Sequence, residues 1–188
     1  MNYPYLQPYI KLSASIFFIA LLMGYLAAKS YLKESVDYLD QMLSDYDFLR
    51  YIGSFGLFLI IFLNNSIKSF IAMLCGIFFG LVPFFFLYLN GFLIGLFIYI
   101  TSRSMGLLGV ILSILPHGIF ELWAIMISTG IGLWLGAQSF RRLRYKVPLQ
   151  PSIKIAVRIY VSRILPMLLF AAAIEAYISV LVAGFFRQ

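Results

Sequence analysis

Uncharged stretches long enough to cross a lipid bilayer recur along this 188-residue chain. Between Lys11 and Lys29, for example, 17 consecutive residues carry no charge. A helical crossing of the hydrocarbon core needs about 20 predominantly apolar residues. Only 11% of the residues are charged and 63% are hydrophobic, whereas soluble domains are usually about one-quarter charged. The sequence therefore predicts an all-α, polytopic transmembrane helical bundle and excludes a water-soluble monomer.

We predict five to six spans, including short or re-entrant half-helices, in a single integral membrane domain covering residues 1–188. The predicted spans cover residues 10–28, 51–64, 67–89, 91–115, 117–140 and 164–186, with polar turn signals at Asn64-Asn65-Ser66 and Asn90-Gly91. We expect the fourth span to break near Arg103, since an arginine at mid-bilayer costs at least about 2.5 kcal/mol. Apolar residues recurring at a helical period predict surface helices over residues 30–50 and 150–162.

Half of the chain's fourteen basic residues lie in one segment that contains no acidic residue. These residues are Arg141, Arg142, Arg144, Lys146, Lys154, Arg158 and Arg163. Because the segment lies between hydrophobic runs, the charge is typical of an orientation signal and speaks against nucleic-acid binding. We therefore expect a multi-pass protein of the cell membrane, with residues 141–163 in the cytoplasm and the C-terminus outside. Six crossings would place the N-terminus outside and five would place it inside; we favour five.

Polar side chains within the apolar runs are the candidate functional residues, because such groups in membrane spans usually have a function. The predicted polar cluster comprises Asn64, Asn65, Asn90, Arg103, His117, Glu121 and Glu175. His117 and Glu121 are four residues apart and so share one helix face. We expect Glu175 to be neutral or paired with Arg103, Lys68 or the His117–Glu121 helix, since an unpaired buried carboxylate is costly.

Three interpretations of the His117–Glu121 pair remain open. The pair could form a hydrogen-bonded clamp between helix ends, a proton or ion pathway, or, together with Glu175, a metal site for hydrolysis. We expect the clamp and predict no metal site and no catalytic residue; the sequence identifies no cofactor. No aspartate follows Asp47 and no Gly-x-Ser-x-Gly elbow is present, so a serine-type nucleophile is not indicated. We therefore predict a protein that is not an enzyme.

Three Gly-x-x-x-Gly spacings predict close helix packing, since small residues allow helices to approach. They are Gly76 with Gly80, Gly91 with Gly95, and Gly132 with Gly136. We expect these glycines to pack mainly within one subunit. We also expect the protein to be a homo-oligomer surrounded by the lipid bilayer.

The order of several short motifs resembles that of the stage II sporulation protein M family over roughly residues 50–186. The motifs are Asn64-Asn65, Gly76 and Gly80, Asn90-Gly91, the run Leu115-Pro116-His117-Gly118-Ile119-Phe120-Glu121, and Glu175-Ala176. The resemblance implies a polytopic membrane protein without an assigned catalytic activity. The sporulation member looks like a scaffold that recruits partner proteins, including cell-wall hydrolases, to the septal membrane during engulfment.

On this basis we expect a membrane scaffold or interaction protein, whose partners by resemblance are other membrane or cell-envelope proteins. The alternative is a small membrane transporter, or an ion or proton pathway, that uses His117, Glu121 and Glu175. The two differ in what surrounds the polar cluster. A scaffold needs fixed hydrogen bonds there, whereas a transporter needs a water-filled path from one side.

Overall fold

The computed structural model describes residues 3–44 and 52–179, apart from the side chains of residues 42–44, 111–117 and 178–179. Within these residues the chain is helical and contains no strand. Its α-helices are α1 (Gln7–Ser30), α2 (Leu32–Ser44), α3 (Ser54–Leu74), α4 (Leu81–Tyr145), α5 (Gln150–Ile159) and α6 (Leu165–Ile174). Short 3-10 turns occupy Pro4–Leu6 and Cys75–Ile77, and π-helical segments occupy Tyr160–Ile164 and Glu175–Ser179. The predicted all-α fold is confirmed.

Five helical runs within the described residues are long and apolar enough to cross a membrane. They are Pro4–Ser30, Ser54–Ile77, Leu81–Val110, Gly118–Tyr145 and Gln150–Tyr177. The third and fourth belong to α4, which is interrupted by a non-helical backbone at Gly106, four residues before the end of the third run, with φ 74° and ψ 159°. We call them the first arm (Leu81–Val110) and the second arm (Gly118–Tyr145) of α4. The prediction of a polytopic helical bundle is confirmed.

The second arm of α4 forms the centre of the bundle. In its most apolar stretch 67% of the residues are buried, against 22% to 39% in the other four spans. Ile131 and Leu135 of this arm are fully buried and cluster with Met73 of α3 and Leu168 of α6. The remaining spans therefore pack around the second arm and present their other faces outward.

Contacts at different heights show that consecutive spans run in opposite directions. Near its start, α1 packs Ile10 on Gly130, and further along Ser13 donates to the Met126 carbonyl at 2.7 Å, so α1 is antiparallel to the second arm. The pairs Ser69–Ser128 and Gly80–Gly136 show that α3 and the turn after it run parallel to the second arm. The pairs Ser69–Tyr160 and Phe58–Tyr177 show that the run Gln150–Tyr177 is antiparallel to α3. We call the end that holds the turns at 78–80 and 146–149 the base, and the opposite end the top.

The predicted helix boundary at Asn64-Asn65-Ser66 is wrong, because α3 continues through it. The polar groups are accommodated inside the helix, where the Ser69 hydroxyl donates to the Asn65 carbonyl at 2.6 Å. The chain turns instead at residues 78–80, where Phe79 and Gly80 have φ values of 57° and 78°. The predicted spans 51–64 and 67–89 are therefore replaced by Ser54–Ile77 and the first arm of α4.

The turn predicted at Asn90-Gly91 is also wrong, since the first arm of α4 passes straight through it. The Asn90 amide donates to the Phe86 carbonyl one helical turn back, at 2.6 Å, which satisfies the side chain without a turn. Gly91 serves packing, because a Cβ there would lie 2.6 Å from the Phe17 carbonyl oxygen. The prediction placed Gly95 one turn after the start of a new span at Gly91. It lies instead in the middle of the first arm, Leu81–Val110.

Two further boundaries differ from the prediction. The break expected near Arg103 in span 91–115 occurs at Gly106, where a positive φ favours glycine. The predicted surface helix 150–162 and span 164–186 are one continuous helical run, of which Gln150–Tyr177 is long and apolar enough to cross a membrane; residues 180–186 lie outside the described residues. In the predicted surface helix 30–50, α2 covers Leu32–Ser44 and buries Leu39 in a cluster with Ala28 and Leu96.

Candidate functional site

The three predicted asparagines lie inside helices and make local hydrogen bonds. Asn64 donates to the Asn65 side-chain oxygen at 3.3 Å, and Asn65 is partly buried while Asn64 is exposed. Asn90 is partly buried and bonded to its own helix. Among the described residues, these amides therefore bond within single helices and join no neighbouring span.

The two predicted carboxylates lie on spans that contact each other. Glu121 on the second arm and Glu175 at the start of the π-helical segment are both partly buried. The rings of Phe120 and Phe170 meet edge to face at 5.0 Å and fix the relative position of these two spans. The segment that begins with Glu175 also contacts α3.

Two of the three partners expected for Glu175, Lys68 and Arg103, are not brought to it, whereas the helix that carries Glu121 does contact the span of Glu175. No hydrogen bond or ion pair joins Glu175 to Lys68, to Arg103 or to another described residue. The side chain of His117 lies outside the described residues, so the His117–Glu121 pair stays a prediction. Among the described side chains, no three of His, Cys, Asp or Glu converge on a point where they could hold a metal ion.

Arg103 lies near the top of the bundle rather than at its middle. The rings of Tyr25 and Tyr99 contact each other at 5.1 Å, and Lys29 and Arg103 each follow four residues later. Both cations are exposed. Their shared height explains why the helix tolerates Arg103 without breaking there.

A buried cluster of hydroxyl groups, which the sequence reasoning missed, joins three spans. Ser128 of the second arm donates to the Ser69 carbonyl of α3 at 2.9 Å. The Ser69 and Tyr160 hydroxyl oxygens lie 2.9 Å apart, where either can donate to the other, and the Tyr160 hydroxyl also lies 2.7 Å from the Ser66 carbonyl. Because each hydroxyl has one proton, the two protons are shared among these acceptors and the Asn65 carbonyl. Such bonds between buried groups hold the three helices in register.

One hydroxyl of this cluster has no hydrogen-bond partner. The Oγ atom of Ser66 is buried and makes no hydrogen bond. An unsatisfied buried hydroxyl costs about 1–3 kcal/mol, so this atom is the weak point of the cluster. Ser66 and Ser69, three residues apart beside the predicted Asn64-Asn65 pair, were the available sequence signal, but a search restricted to ionisable groups and amides passes over them.

Two of the predicted glycine motifs lie where residues 76–80, in the turns that follow α3, pack against the second arm. A Cβ at Gly76 would overlap the Gly132 carbonyl, and a Cβ at Gly136 would lie 2.7 Å from the Gly80 Cα. The obstructing atoms on both sides are backbone. These two motifs therefore pack directly on each other.

The third predicted motif, Gly91 with Gly95, packs against α1 and not against another Gly-x-x-x-Gly motif. A Cβ at Gly95 would overlap the Leu21 carbonyl oxygen and would lie 2.8 Å from the Tyr25 backbone nitrogen. Gly91 makes the equivalent approach to the Phe17 carbonyl, one turn earlier on α1. Both glycines are buried, so α1 and the first arm meet backbone to backbone along this line.

The sequence reasoning missed two further packing glycines. Gly24 of α1 lies against the Phe92 backbone of the first arm, and Gly130 of the second arm lies against Ile10. Neither belongs to a Gly-x-x-x-Gly spacing. A search for paired glycines passes over them for that reason.

The predicted basic segment ends the second arm and begins the last span at the base. Its seven cations are all exposed. A cleft of ≈ 400 Å³ is lined by Arg142, Lys146 and the following residues to Gln150. The Arg144 guanidinium lies 5.4 Å from the centre of the Tyr145 ring.

Comparison with known proteins places these features in a family. The model of the stage II sporulation protein M family matches residues 13–180. MJ0793, an uncharacterized protein of Methanocaldococcus jannaschii, is 31% identical over 158 residues, which cover 76% of this chain and 83% of that protein. No solved structure matches. The family match covers most of the chain and agrees with its multi-pass helical bundle. The chain belongs to the stage II sporulation protein M family.

Proposed function

We propose that this protein is a membrane scaffold, a rigid helical platform that holds partner proteins and catalyses no reaction. The observation that carries the proposal is the way in which the central arm of α4 is fixed. Its Gly132/Gly136 motif packs on Gly76/Gly80, and its Ser128 hydroxyl bonds the Ser69 carbonyl at 2.9 Å. Close glycine contacts and interhelical hydrogen bonds favour one stable arrangement over a moving one.

We also propose an orientation for the scaffold. The basic segment at the base is assigned to the cytoplasm by the positive-inside rule. With five alternating spans, the start of the described chain would then lie in the cytoplasm, while α2 and the end of the last span would lie outside. Partners of the cell envelope would meet the top of the bundle, and cytoplasmic partners would meet the base.

Substitution of Glu121 by glutamine tests the proposal against transport. In a scaffold the carboxylate has only a structural role, so E121Q should lower the melting temperature in detergent. Proton and cation fluxes in proteoliposomes that contain the wild type or E121Q should stay at the background of empty vesicles. The matched control is E34Q, which makes the same change on the exposed surface of α2 and should alter neither quantity. A reproducible wild-type flux that disappears in E121Q would refute the scaffold.

A second candidate function is an ion or proton pathway through His117, Glu121 and Glu175. It is favoured by one observation, the partly buried Glu175 at the start of a π-helical segment. Single-turn π-helical insertions are frequent at functional sites. For this function E175Q should abolish a measured flux while leaving the protein folded, and an unchanged flux in E175Q would exclude this carboxylate from the path.

A further inference from the structure

Three exposed cations on three different helices lie at one height of the bundle. Lys11 follows Ile10, which packs on Gly130. Lys68 precedes Ser69, whose carbonyl accepts from Ser128, and Arg158 lies two residues before Tyr160, which bonds Ser69. We call Lys11, Lys68 and Arg158 the cation ring. Since charged side chains avoid the hydrocarbon core, a ring around the bundle indicates a membrane surface.

The opposite membrane surface is marked by Lys29 and Arg103. Lys29 lies eighteen positions after Lys11 on α1, which at 1.5 Å per residue is about 27 Å. The hydrocarbon core of a bilayer is about 30 Å thick. Arg163 lies about one turn above the ring, where its long side chain can reach the surface. The bilayer therefore lies between the cation ring and the top.

The base then projects beyond the membrane. The second arm of α4 continues for sixteen residues from Thr129 to Tyr145, or about 24 Å past the ring. The ring and base together, residues 3–11, 68–83 and 129–163, contain nine of the fourteen basic residues and none of the seven acidic ones. This end of the molecule is a strongly cationic stem.

The stem carries exposed apolar side chains. The rings of Phe79 and Phe140 contact each other at 4.7 Å, yet 44% and 58% of their surfaces are exposed. Phe78 and Leu143 beside them are 58% and 70% exposed. We call these four residues the basal patch. Exposed apolar patches mark interaction sites.

We propose that the basal patch binds an acidic amphipathic helix of a cytoplasmic protein partner. The apolar face of that helix would cover Phe79 and Phe140, and its carboxylates would pair with the arginines that alternate with the patch, Arg141 and Arg144. This inference rests on the proposed scaffold function and supplies it with a binding surface. The argument for such a partner is charge complementarity, because a stem without a single acidic residue repels a second copy of itself.

Anionic lipid is a poorer occupant of the patch. Phe140 lies eleven residues beyond Thr129, or about 16 Å outside the ring. The headgroup region adds only about 5–8 Å on each side of the hydrocarbon core. The basal patch is therefore beyond the reach of the leaflet that surrounds the ring.

Binding of a designed probe to the full-length protein tests the proposal. The probe is a fluorescent helical peptide with leucines on one face and glutamates on the other, added to the protein in zwitterionic nanodiscs. We expect it to bind at least about tenfold more tightly than a peptide with lysines in place of glutamates, and more weakly as salt rises. The double variant F140A/L143A should weaken binding at least about tenfold. Equal binding of the two peptides, or no effect of the double variant, would overturn the proposal.

Two controls separate the possible causes of failure. F55A removes a phenylalanine of similar exposure, 65%, near the start of α3 at the top and should leave binding unchanged. Nitroxide labels at F140C and F18C, in a C75S background, report which surface lipid covers. The label at 140 should be relaxed by a water-soluble nickel chelate and the label at 18 by oxygen; oxygen relaxation at 140 would assign the patch to the bilayer and overturn the proposal. If the peptide does not bind and the flux stays at background, only the proposed binding surface is refuted. A flux that depends on Glu121 would refute the scaffold function itself.

Discussion

The contact between the 3-10 turn that follows α3 and the second arm of α4 should tolerate no side chain at Gly76. A Cβ there would lie 2.6 Å from the carbonyl carbon and 2.7 Å from the Cα of Gly132, and real Cβ contacts essentially never fall below 3.0 Å. The obstructing atoms are backbone, so relief requires the two helices to separate. Gly80 and Gly136 form the next contact along the same crossing and would be disturbed as well.

The loss of stability expected for G76A follows from this geometry. Overpacking a well-packed core costs typically about 1–3 kcal/mol, and a backbone collision belongs at the upper end. Gly76 does not adopt a positive φ, so the whole cost of G76A comes from the contact. For a chain of about this length, about 1 kcal/mol shifts the melting temperature by roughly 2–4 °C. We therefore expect G76A to melt roughly 10 °C below the wild type in detergent.

The matched control for this substitution is G109A. Gly109 is also helical, but a Cβ there meets only the flexible Met105 side chain, at 3.4 Å or more. Because alanine favours a helix over glycine by up to about 1 kcal/mol, G109A should be neutral or slightly stabilising. The assay is thermal unfolding of both purified variants followed by size-exclusion chromatography. Equal melting temperatures for G76A and G109A would show that the two glycine motifs do not form the tight crossing described here.

Three further outcomes are expected. Y160F and S69A should each destabilise the protein by about 1 kcal/mol, and a double-mutant cycle should give a coupling of about 0.5–1.5 kcal/mol because the two hydroxyls bond each other; strict additivity would contradict the bond. In a C75S background, an impermeant maleimide should label K33C but not K154C in intact cells, and the reverse pattern would invert the proposed orientation. Light scattering in mild detergent should give a multiple of the 21.4 kDa subunit mass, whereas a monomer mass would refute self-association.

The helical fold was predictable because hydropathy alone identifies membrane spans, whereas the exact turns were not. Asn90-Gly91 is a turn signal when read locally, but in the helix the Asn90 amide finds the Phe86 carbonyl, and Gly91 and Gly95 meet the backbone of α1. The real turn at 78–80 contains two phenylalanines and a glycine and carries no polar residue. Its position depends on a contact between glycines at 80 and 136, which are far apart in sequence.

The candidate site was predictable only in part, for a related reason. Ionisable residues stand out in an apolar sequence, so Glu121 and Glu175 were found, and their spans do contact each other. The hydroxyl cluster was not found, because serines are common in such sequences and two of its acceptors are the backbone carbonyls of Ser66 and Ser69. A carbonyl carries no sequence signal, and only the packing of the helices reveals which one accepts a bond.

The buried hydroxyl groups and the carboxylates have different roles in this bundle, and the difference bears on function. Close packing and interhelical hydrogen bonds hold this bundle together. Here that role falls to the glycine crossings and to Ser69, Ser128 and Tyr160, which are buried and bonded across helices. Glu175 has no bond to another described residue and so contributes nothing comparable to this framework. The ion-pathway candidate therefore predicts that E175Q changes flux without changing stability, whereas the scaffold predicts no change in flux, so this substitution separates the two proposals.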